Sequence, residues 1–316
     1  MYYIGIDMGG TSIKIGLIND RTLEDLLQIP TDPSQSAVEC VDSIKRSVEE
    51  LLNRNQLSME MIQSIGMGVP GTANLSNGRL EYANNLSFSD IPLLDLLRQS
   101  FPKPVYFDND ANAAAWGQYL IEESTADSYL MLTLGTGIGC GIILNQKIMY
   151  GVNYSAGEVG HMTIKYDGIP CNCGRKGCFE AYASSRALIM HARKEMNQHP
   201  DSILWQLCGD NPDLLDGKLF FKAVSAQDSL ANAELNRYIE YLAQGITNII
   251  NIFQPQELRI GGGISSAGEW FLEPLKEKVA QYRYSRDSAL NTNIELAKNF
   301  NDAGIIGAGL LELSQR

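Results

Sequence analysis

The sequence predicts an α/β protein built from two copies of one unit, and two observations lead to that class. Short apolar runs of strand length alternate with amphipathic runs of helix length through most of the 316 residues. Two strand pairs also enclose similar Gly-Thr turns, one near residue 10 and one near residue 135. Over nine aligned positions the pairs share five residues, namely Gly10/Gly135, Thr11/Thr136, Ile13/Ile138, Gly16/Gly141 and Ile18/Ile143. We therefore expect a duplicated unit whose two glycine-rich turns face one cleft.

The elements of the first half follow from the spacing of apolar residues. YYIGI and SIKIGLI are predicted as strands joined by DMGGT, and residues 36–52 are predicted as a helix. MIQSIGMGV and KPVYF are predicted as strands on either side of a helix in IPLLDLLRQS. The alanine-rich DNDANAAAWGQYL is predicted as a helix because Asn and Asp mark its start.

The second half begins with another strand pair, SYLMLTL and GIGCGIIL, around the turn GTG. Residues 230–253 carry one apolar stripe of a long amphipathic helix, which Pro255 ends. ELRI is then a predicted strand that runs into three glycines, and helices follow from about Ser266 and about Ala303. Because no low-complexity linker separates the halves, we expect a hinge between them.

The composition limits the function classes. With 44% hydrophobic and 20% charged residues, the chain has the balance of a soluble globular protein. A net charge of −12 and the lack of a Lys/Arg cluster argue against nucleic acid as a partner. The sequence has no apolar run of membrane-spanning length and no targeting leader, so we expect a cytoplasmic protein without a membrane partner.

One segment in the middle of the chain has the residues of a metal site. His161, Cys171, Cys173 and Cys178 form a Cys3His set of the kind that binds tetrahedral Zn²⁺. Since the protein supplies all four ligands, the metal would be structural and not catalytic. The alternative, cysteines packed as small apolar groups, is disfavoured because residues 172–176 are polar. Cys40, Cys140, Cys208, His191 and His199 have no partners at ligand spacing.

The glycine-rich turns are candidate phosphate sites. Without a Cβ, backbone amides can approach an anion closely and surround it. In DMGGTSIK, Asp7 is placed to hold a hydrated Mg²⁺, and Thr11 and Lys14 could contact phosphate oxygens. A single turn of this kind is more often an ordinary hairpin. Two matched turns and the triplet at residues 261–263 together favour phosphate binding.

The segment FDNDANAAA places a carboxylate at a strand-to-helix junction, where α/β proteins present groups to a cleft. Asp110 could accept a proton there. The alternative is helix capping, which Asp and Asn often perform. Asp108 or Asn109 could take that part instead, and the residues alone leave the choice open.

These motifs together resemble the ROK family of repressors, open reading frames and kinases, within the actin-like sugar kinase and Hsp70 ATPase superfamily. The resemblance covers essentially the whole chain and rests on GIDMGGTSIKIGLI, GMGVPG, FDNDANAAAWGQ, LTLGTGIGCGI, AGEVGH, CNCGRKGCFEAYAS and IGGGIS in the expected order. It implies a two-lobed actin-like ATPase (ribonuclease H-like) fold with an ATP and sugar cleft. We expect a small lobe of residues 1–118 with about 302–316, and a large lobe of residues 119–301 with the zinc loop 161–178.

The resemblance also implies residue roles. Asp110 matches the general base, and the zinc loop is expected to shape the sugar pocket, with His161 touching both metal and sugar. The positions that match sugar contacts are Gly71, Asn85, Asn109, Asp110, Glu158, His161 and Glu180. The positions that match nucleotide contacts are Asp7, Gly9, Gly10, Thr11, Lys14, Gly135, Thr136, Gly137, Gly261, Gly262 and Gly263.

The activity that the resemblance implies is transfer of phosphate from MgATP to the 6-hydroxyl of glucose. N-acetylmannosamine kinase, fructokinase and β-glucoside kinase remain alternatives, because Ser87 and Phe88 depart from the family pattern near the sugar. A sugar-responsive repressor is disfavoured, since no DNA-binding module precedes the first strand and the charge is acidic. A homodimer or homotetramer is expected, and residues 200–228 are expected to form lid or oligomer-contact helices without an assigned chemistry.

Overall fold

The computed structural model describes residues 1–83, 89–264 and 268–315, and they divide into two units. The first unit contains Met1–Met131, Gly141–Gly157 and Lys298–Arg316. The second contains Leu132–Cys140 and Glu158–Ala297. Each unit therefore includes pieces that are distant in the sequence.

The strands are, in chain order, β1 (Tyr2–Met8), β2 (Ser12–Asn19), β3 (Thr22–Pro30), β4 (Ile62–Val69), β5 (Thr72–Asn74), β6 (Arg79–Tyr82), β7 (Ser89–Ile91), β8 (Val105–Asn109), β9 (Ser128–Leu134), β10 (Ile138–Leu144), β11 (Lys147–Ile148), β12 (Glu257–Gly261) and β13 (Asn293–Leu296). The α-helices are α1 (Ala37–Arg54), α2 (Leu93–Ser100), α3 (Asp110–Ile121), α4 (Glu180–Ala183), α5 (Ser185–Met196), α6 (Ile203–Leu207), α7 (Gly217–Ser225), α8 (Ser229–Phe253), α9 (Glu269–Tyr282), α10 (Phe300–Gly309) and α11 (Leu311–Gln315). None of these helices is both long and apolar enough to cross a membrane, as far as the described ranges extend.

The two five-stranded sheets have the same topology. Their orders are β3-β2-β1-β4-β8 and β11-β10-β9-β12-β13. In the first sheet, β1 pairs antiparallel with β2 and parallel with β4, and β4 pairs parallel with β8. In the second, β10 and β11 are antiparallel and β12 and β13 are parallel. The equal strand orders confirm the duplication predicted from the two Gly-Thr hairpins.

Helix α1 covers the first sheet and starts where the sequence predicts. Ser36 caps the helix and shares a capping box with Glu39, so two backbone donors at the helix start are satisfied. The buried stripe of α1 joins the core formed with β1, β2, β4 and β8. This stripe consists of Cys40, Val41, Ile44, Val48, Leu51 and Leu52.

Helices α3 and α10 pack together at very short range because both carry glycine at the crossing. A Cβ added to Gly117 of α3 would overlap the Ala303 carbonyl oxygen, and one added to Gly307 of α10 would overlap the Ala113 carbonyl oxygen. The backbone of α10 also lies on β1 and β4, at Gly5 and Gly66. Since α3 begins with Asp110, this packing fixes the helix that carries the predicted base.

We expect Gly307→Ala to lower the free energy of unfolding by about 3 kcal/mol, because the added methyl group meets backbone and cannot be accommodated by a side-chain movement. Gly217→Ala in α7 is the matched control, since a Cβ there meets nothing within 4 Å. We expect the control to change stability by less than about 0.5 kcal/mol. Urea unfolding checks both variants, and equal midpoints would show that the α3–α10 crossing can relax.

In the second unit, α8 supports the segment that follows the predicted zinc loop. The ring of Phe179, which is fully buried, occupies the space that a Cβ on Gly245 of α8 would need. The helix ends at Gln254 in a left-handed conformation directly before Pro255, as predicted. Phe179 therefore anchors the chain between Cys178 and Glu180 to the core of this unit.

Two regions of the fold had no clear signal in the sequence. One is β3, which extends the first sheet, and the other is the three-stranded sheet β5-β6-β7. Residues 200–228 contain α6 and α7, which agrees with the helices expected from the sequence in this segment.

Candidate active site and metal cluster

The first glycine-rich turn connects β1 and β2 and is held by a residue that sequence reasoning missed. Gly9 N donates to Ser12 O at 2.9 Å, which closes the turn. Thr31, just after β3, donates through Oγ1 to Gly9 O at 2.7 Å and through its amide to Thr11 O at 3.0 Å. The turn is therefore fixed from both ends before any ligand binds.

Asp7 and Lys14 lie beside this turn as directly opposed residues of β1 and β2. Burial raises the pKa of the Asp7 carboxyl above its ordinary value, and the charge of Lys14 opposes that rise. Gly304 of α10 leaves room for the carboxylate, since a Cβ there would lie 3.2 Å from Asp7 Oδ2. A desolvated carboxylate gains from a nearby cation, and oxygen ligands suit Mg²⁺, so Asp7 fits the predicted role.

The start of α3 answers the question of which residue caps the helix. Asn109 is the cap, and its Oδ1 accepts from Ala111 N at 2.9 Å and from Asn112 N at 3.2 Å. Asn109 Nδ2 donates to Gly71 O at 3.0 Å. Asp110 is the first helical residue, and its Oδ1 also accepts from Ala111 N, at 2.9 Å. The structure thus brings Gly71, Asn109 and Asp110 together, and the partial positive charge of the helix start favours a carboxylate there.

Position 71 can be occupied only by glycine in this fold. Its φ of 98° is a left-handed conformation, and an added Cβ would overlap the Tyr82 carbonyl oxygen. Its carbonyl group is thereby presented to Asn109. Asn85, the other predicted sugar contact of this unit, lies outside the described residues.

Asp108 is fully buried directly before this site. Its Oδ1 accepts from Asn109 N at 2.7 Å and from Asn112 Nδ2 at 3.0 Å, so it braces the start of α3. Burial raises the pKa of the Asp108 carboxyl to about 6, although Asn112, Tyr150 and Gln315 favour the charged form. Tyr150 and Gln315 reach Asp108 from distant parts of the chain, and no sequence pattern pointed to them.

We expect Asp108→Asn to change how stability depends on pH. Because the folded-state pKa lies above the ordinary value, the folded protein holds a proton that the unfolded chain has lost between about pH 4 and pH 6. As the pH rises through this window, the free energy of unfolding of the wild type should therefore fall relative to that of the variant, by about 1.4 kcal/mol per pH unit at most. Urea unfolding at several pH values checks this. A difference that stays constant from pH 4.5 to pH 7.5 would contradict the raised pKa.

The second unit gathers the predicted metal ligands into one cluster. The ligand atoms of His161, Cys171, Cys173 and Cys178 all lie within 4.8 Å of one another. Cys173 Sγ is 3.6 Å from Cys178 Sγ, and Cys171 Sγ is 3.7 Å from His161 Nδ1. Tetrahedral Zn²⁺ with Zn–S bonds of about 2.3 Å would require ligand separations of about 3.5–3.8 Å. These four residues therefore fit zinc.

Two carboxylates flank the histidine of this cluster. Glu158 Oε2 lies 3.8 Å from His161 Nε2, and Glu180 Oε1 lies 3.7 Å from His161 Nδ1. Burial raises the pKa of Glu158, with His161 lowering it and Glu180 raising it further. Glu158, His161 and Glu180, all predicted sugar contacts, are thus neighbours in this unit.

The second glycine-rich turn and the glycine triplet also meet in this unit. Gly135 N donates to Gly137 O at 3.0 Å, and Ile138 N donates to Glu180 Oε2 at 3.3 Å. A Cβ on Gly262, whose φ is 103°, would overlap the Leu134 carbonyl oxygen. The triplet 261–263 therefore lies against the strand that leads into Gly135, Thr136 and Gly137.

Comparison with known proteins agrees with these sites. The ROK family model matches residues 3–315. A curated glucokinase from Halalkalibacterium halodurans is 36% identical over 317 residues, which cover 99% of this chain and 96% of the relative. A curated xylose repressor from Caldicellulosiruptor bescii is 32% identical over 319 residues, which cover 98% of this chain and 78% of the relative.

Among solved structures, a ROK family glucokinase from Streptomyces griseus, in complex with glucose and AMPPNP, has a TM-score of 0.87 and 30% identity. The match covers 98% of this chain and 99% of that chain. The fold is accordingly the actin-like ATPase fold of these structures. The chain belongs to the ROK family.

Proposed function

We propose that the protein is an ATP-dependent hexose kinase that transfers phosphate from MgATP to the 6-hydroxyl of glucose. The observation that carries this proposal is the full-length likeness to a glucokinase structure that holds glucose and AMPPNP. The 36% identity to a second glucokinase over nearly both chains supports it. An ATP-dependent sugar kinase is the class that these relatives share.

Asp110 is proposed as the general base that removes the proton of the attacking hydroxyl. Because Asn109 caps α3, capping does not require the Asp110 carboxylate. The packing of α3 on α10 and the contacts of Asp108 hold the helix start in place, as a catalytic group requires. Proton removal of this kind contributes typically about 10²–10⁴-fold in rate.

The sugar is proposed to contact Gly71, Asn85, Asn109 and Asp110 from the first unit. From the second unit, Glu158, His161 and Glu180 are proposed to contact other hydroxyl groups. The grouping of Gly71, Asn109 and Asp110 in the first unit, and of Glu158, His161 and Glu180 in the second, supports the roles of these six residues. The role of Asn85 rests on the family resemblance. Carboxylates and amides suit this task, because they can orient several hydroxyl groups at once.

ATP is proposed to bind through the two glycine-rich turns and the triplet 261–263. Backbone amides of Gly10, Thr11, Thr136 and Gly137 would face the phosphates, with Lys14 adding positive charge. The amides of Gly9 and Gly135 close the two turns. Asp7 would hold Mg²⁺, which supplies charge neutralisation at the phosphates when bound. The turn geometry set by Thr31 and by the Gly135–Gly137 hydrogen bond supports this assignment.

Zinc is proposed to have a structural role on His161, Cys171, Cys173 and Cys178. The segment around these residues is polar, so metal bonds would order it where a hydrophobic core cannot. His161 and Glu180 would then be held at fixed positions for the sugar. A cytoplasmic homodimer or homotetramer is also proposed, on the family resemblance alone.

A sugar-responsive repressor is the second candidate, because the xylose repressor of Caldicellulosiruptor bescii is 32% identical. A coupled assay for ADP separates the two. The panel should contain glucose, N-acetylmannosamine, N-acetylglucosamine, fructose and cellobiose. We expect the highest kcat/KM for glucose. Sugar binding without ADP formation on any member would reject the kinase, and a clear preference for another sugar would reject glucokinase.

A further inference from the structure

The second unit contains an open cavity of about 290 Å³ that begins at Thr136 and Glu180 and extends beyond the residues of the proposed kinase mechanism. We name it the α5 cavity, because α5 forms one wall. The opposite wall consists of residues 169–172 of the zinc loop. The remainder comes from α4, Ser184, Arg237 of α8 and Thr136 of the second glycine-rich turn. Four of the lining side chains can carry positive charge, namely Arg186, His191, Lys194 and Arg237.

Two of these four side chains, Arg186 and Lys194, are exposed and form no side-chain hydrogen bond or ion pair within the part of the chain that the structure describes. Arg237 uses its Nε to donate to Glu234, at 2.9 Å, but its Nη2 is buried and has no partner in the described ranges. Because Arg186 and Lys194 are unpaired there, the cavity is suited to an anion. In a chain with a net charge of −12, such a cluster is unusual.

A buried acid holds two of these cations in position. Glu234, whose side chain is 8% exposed, accepts from Arg237 Nε and lies 2.6 Å from His191 Nδ1. The Arg237 guanidinium also lies 5.7 Å from the centre of the Tyr241 ring. Glu180 lines the cavity and Glu195 lies 3.9 Å from His191 Nε2, so both partly offset the charge. The arrangement is therefore pre-organised and does not consist only of mobile surface side chains.

The rest of the lining is mixed, with polar Thr136, Asn172 and Ser184 beside an apolar patch. Ile169, Pro170 and Met190 lie at the cavity, and Met190 is 56% exposed. A volume of about 290 Å³ is at the lower end of ligand pockets. Arginine forks and a lysine ammonium suit phosphate oxygens, and the apolar patch suits a compact organic group. We propose that the α5 cavity binds a small organic phosphate of the size of a hexose monophosphate.

Binding there would restrain the zinc loop. The Tyr182 hydroxyl of α4 accepts from Ile169 N at 2.6 Å, which ties one wall to the other. The same two walls carry Cys171 and Glu180. A ligand between them should therefore slow hydrogen exchange of the backbone amides of residues 169–172. This makes the cavity a candidate regulatory site next to predicted metal and sugar contacts.

The proposal is tested by titrating the full-length, zinc-loaded protein with glucose 6-phosphate and with inorganic phosphate, using isothermal calorimetry. We expect saturable binding of glucose 6-phosphate that weakens with salt, and at least threefold weaker binding of inorganic phosphate. Lys194→Glu should weaken binding of the sugar phosphate at least tenfold. Lys222→Glu on α7 is the matched control, because it makes the same charge change at an exposed site that does not line the cavity, and it should change affinity less than twofold.

Two further measurements separate this site from the nucleotide site. Lys14→Gln should leave the binding of glucose 6-phosphate unchanged, and hydrogen exchange should show protection at residues 169–172. Absent binding, equal binding by Lys194→Glu, or loss of binding in Lys14→Gln would each overturn the proposal. Equal affinities for glucose 6-phosphate and inorganic phosphate would overturn the proposal that the ligand is an organic phosphate. Binding and kinase activity are measured independently, so the failure of one is distinguishable from the failure of the other.

Discussion

Asp110→Asn is expected to bind sugar and nucleotide with little change while its turnover falls by about 10²–10⁴-fold. The amide keeps the size of the carboxylate and can still accept from Ala111 N, so α3 should begin as before. What the variant loses is the ability to take a proton from the attacking hydroxyl. Steady-state kinetics should therefore show a large loss in kcat and a small change in KM.

Asp95→Asn is the matched control for this experiment, because Asp95 is an exposed residue of α2 in the same unit. The control should retain wild-type kcat. Glucose binding by Asp110→Asn, measured by calorimetry, shows whether the site is still formed. Wild-type turnover in Asp110→Asn would assign the base to another residue, with Asp108 as the next candidate.

Cys173→Ser is expected to remove zinc and activity together. A hydroxyl is a poor zinc ligand, so the metal content should fall well below one equivalent per chain. Without the metal, the ring of His161 and the loop from Cys171 to Cys178 would lose their common anchor, and we expect kcat/KM for the sugar to fall at least tenfold. Metal analysis and kinetics on the same preparation check both parts.

Cys208→Ser provides the comparison for Cys173→Ser. Cys208 lies outside the metal cluster, and its thiol donates to Trp205 O at 3.5 Å, which a hydroxyl can also do. It should keep its zinc and its activity. Full activity of zinc-free Cys173→Ser would remove the structural role of the metal from the mechanism.

The parts of the fold that the sequence predicts well are those with local signals. The helical spacing of apolar residues over 36–52 placed the start of α1, and the repeated Gly-Thr hairpins predicted the equal strand orders of the two sheets. The metal cluster was predictable for the same reason, since three of its four ligands lie within eight residues.

Long-range contacts were not predictable from the pattern. Thr31 fixes the first glycine-rich turn through hydrogen bonds to residues about twenty positions earlier. The Gln315 amide donates to Phe107 O at 3.1 Å across 208 positions, beside the buried Asp108. The choice between Asp108, Asn109 and Asp110 as helix cap depended on such geometry, because all three are suitable capping residues by type.

The packing of α10 on β1, β4 and α3 has a consequence for biosynthesis. Its residues 300–309 are synthesised after β1, β4 and α3, yet they complete the unit that contains those elements. At about 5–20 residues per second, a nascent chain would wait roughly 15–60 s before this unit could close. Until then, the backbone surfaces at Gly5, Gly66 and Gly117 that pack against α10 stay uncovered.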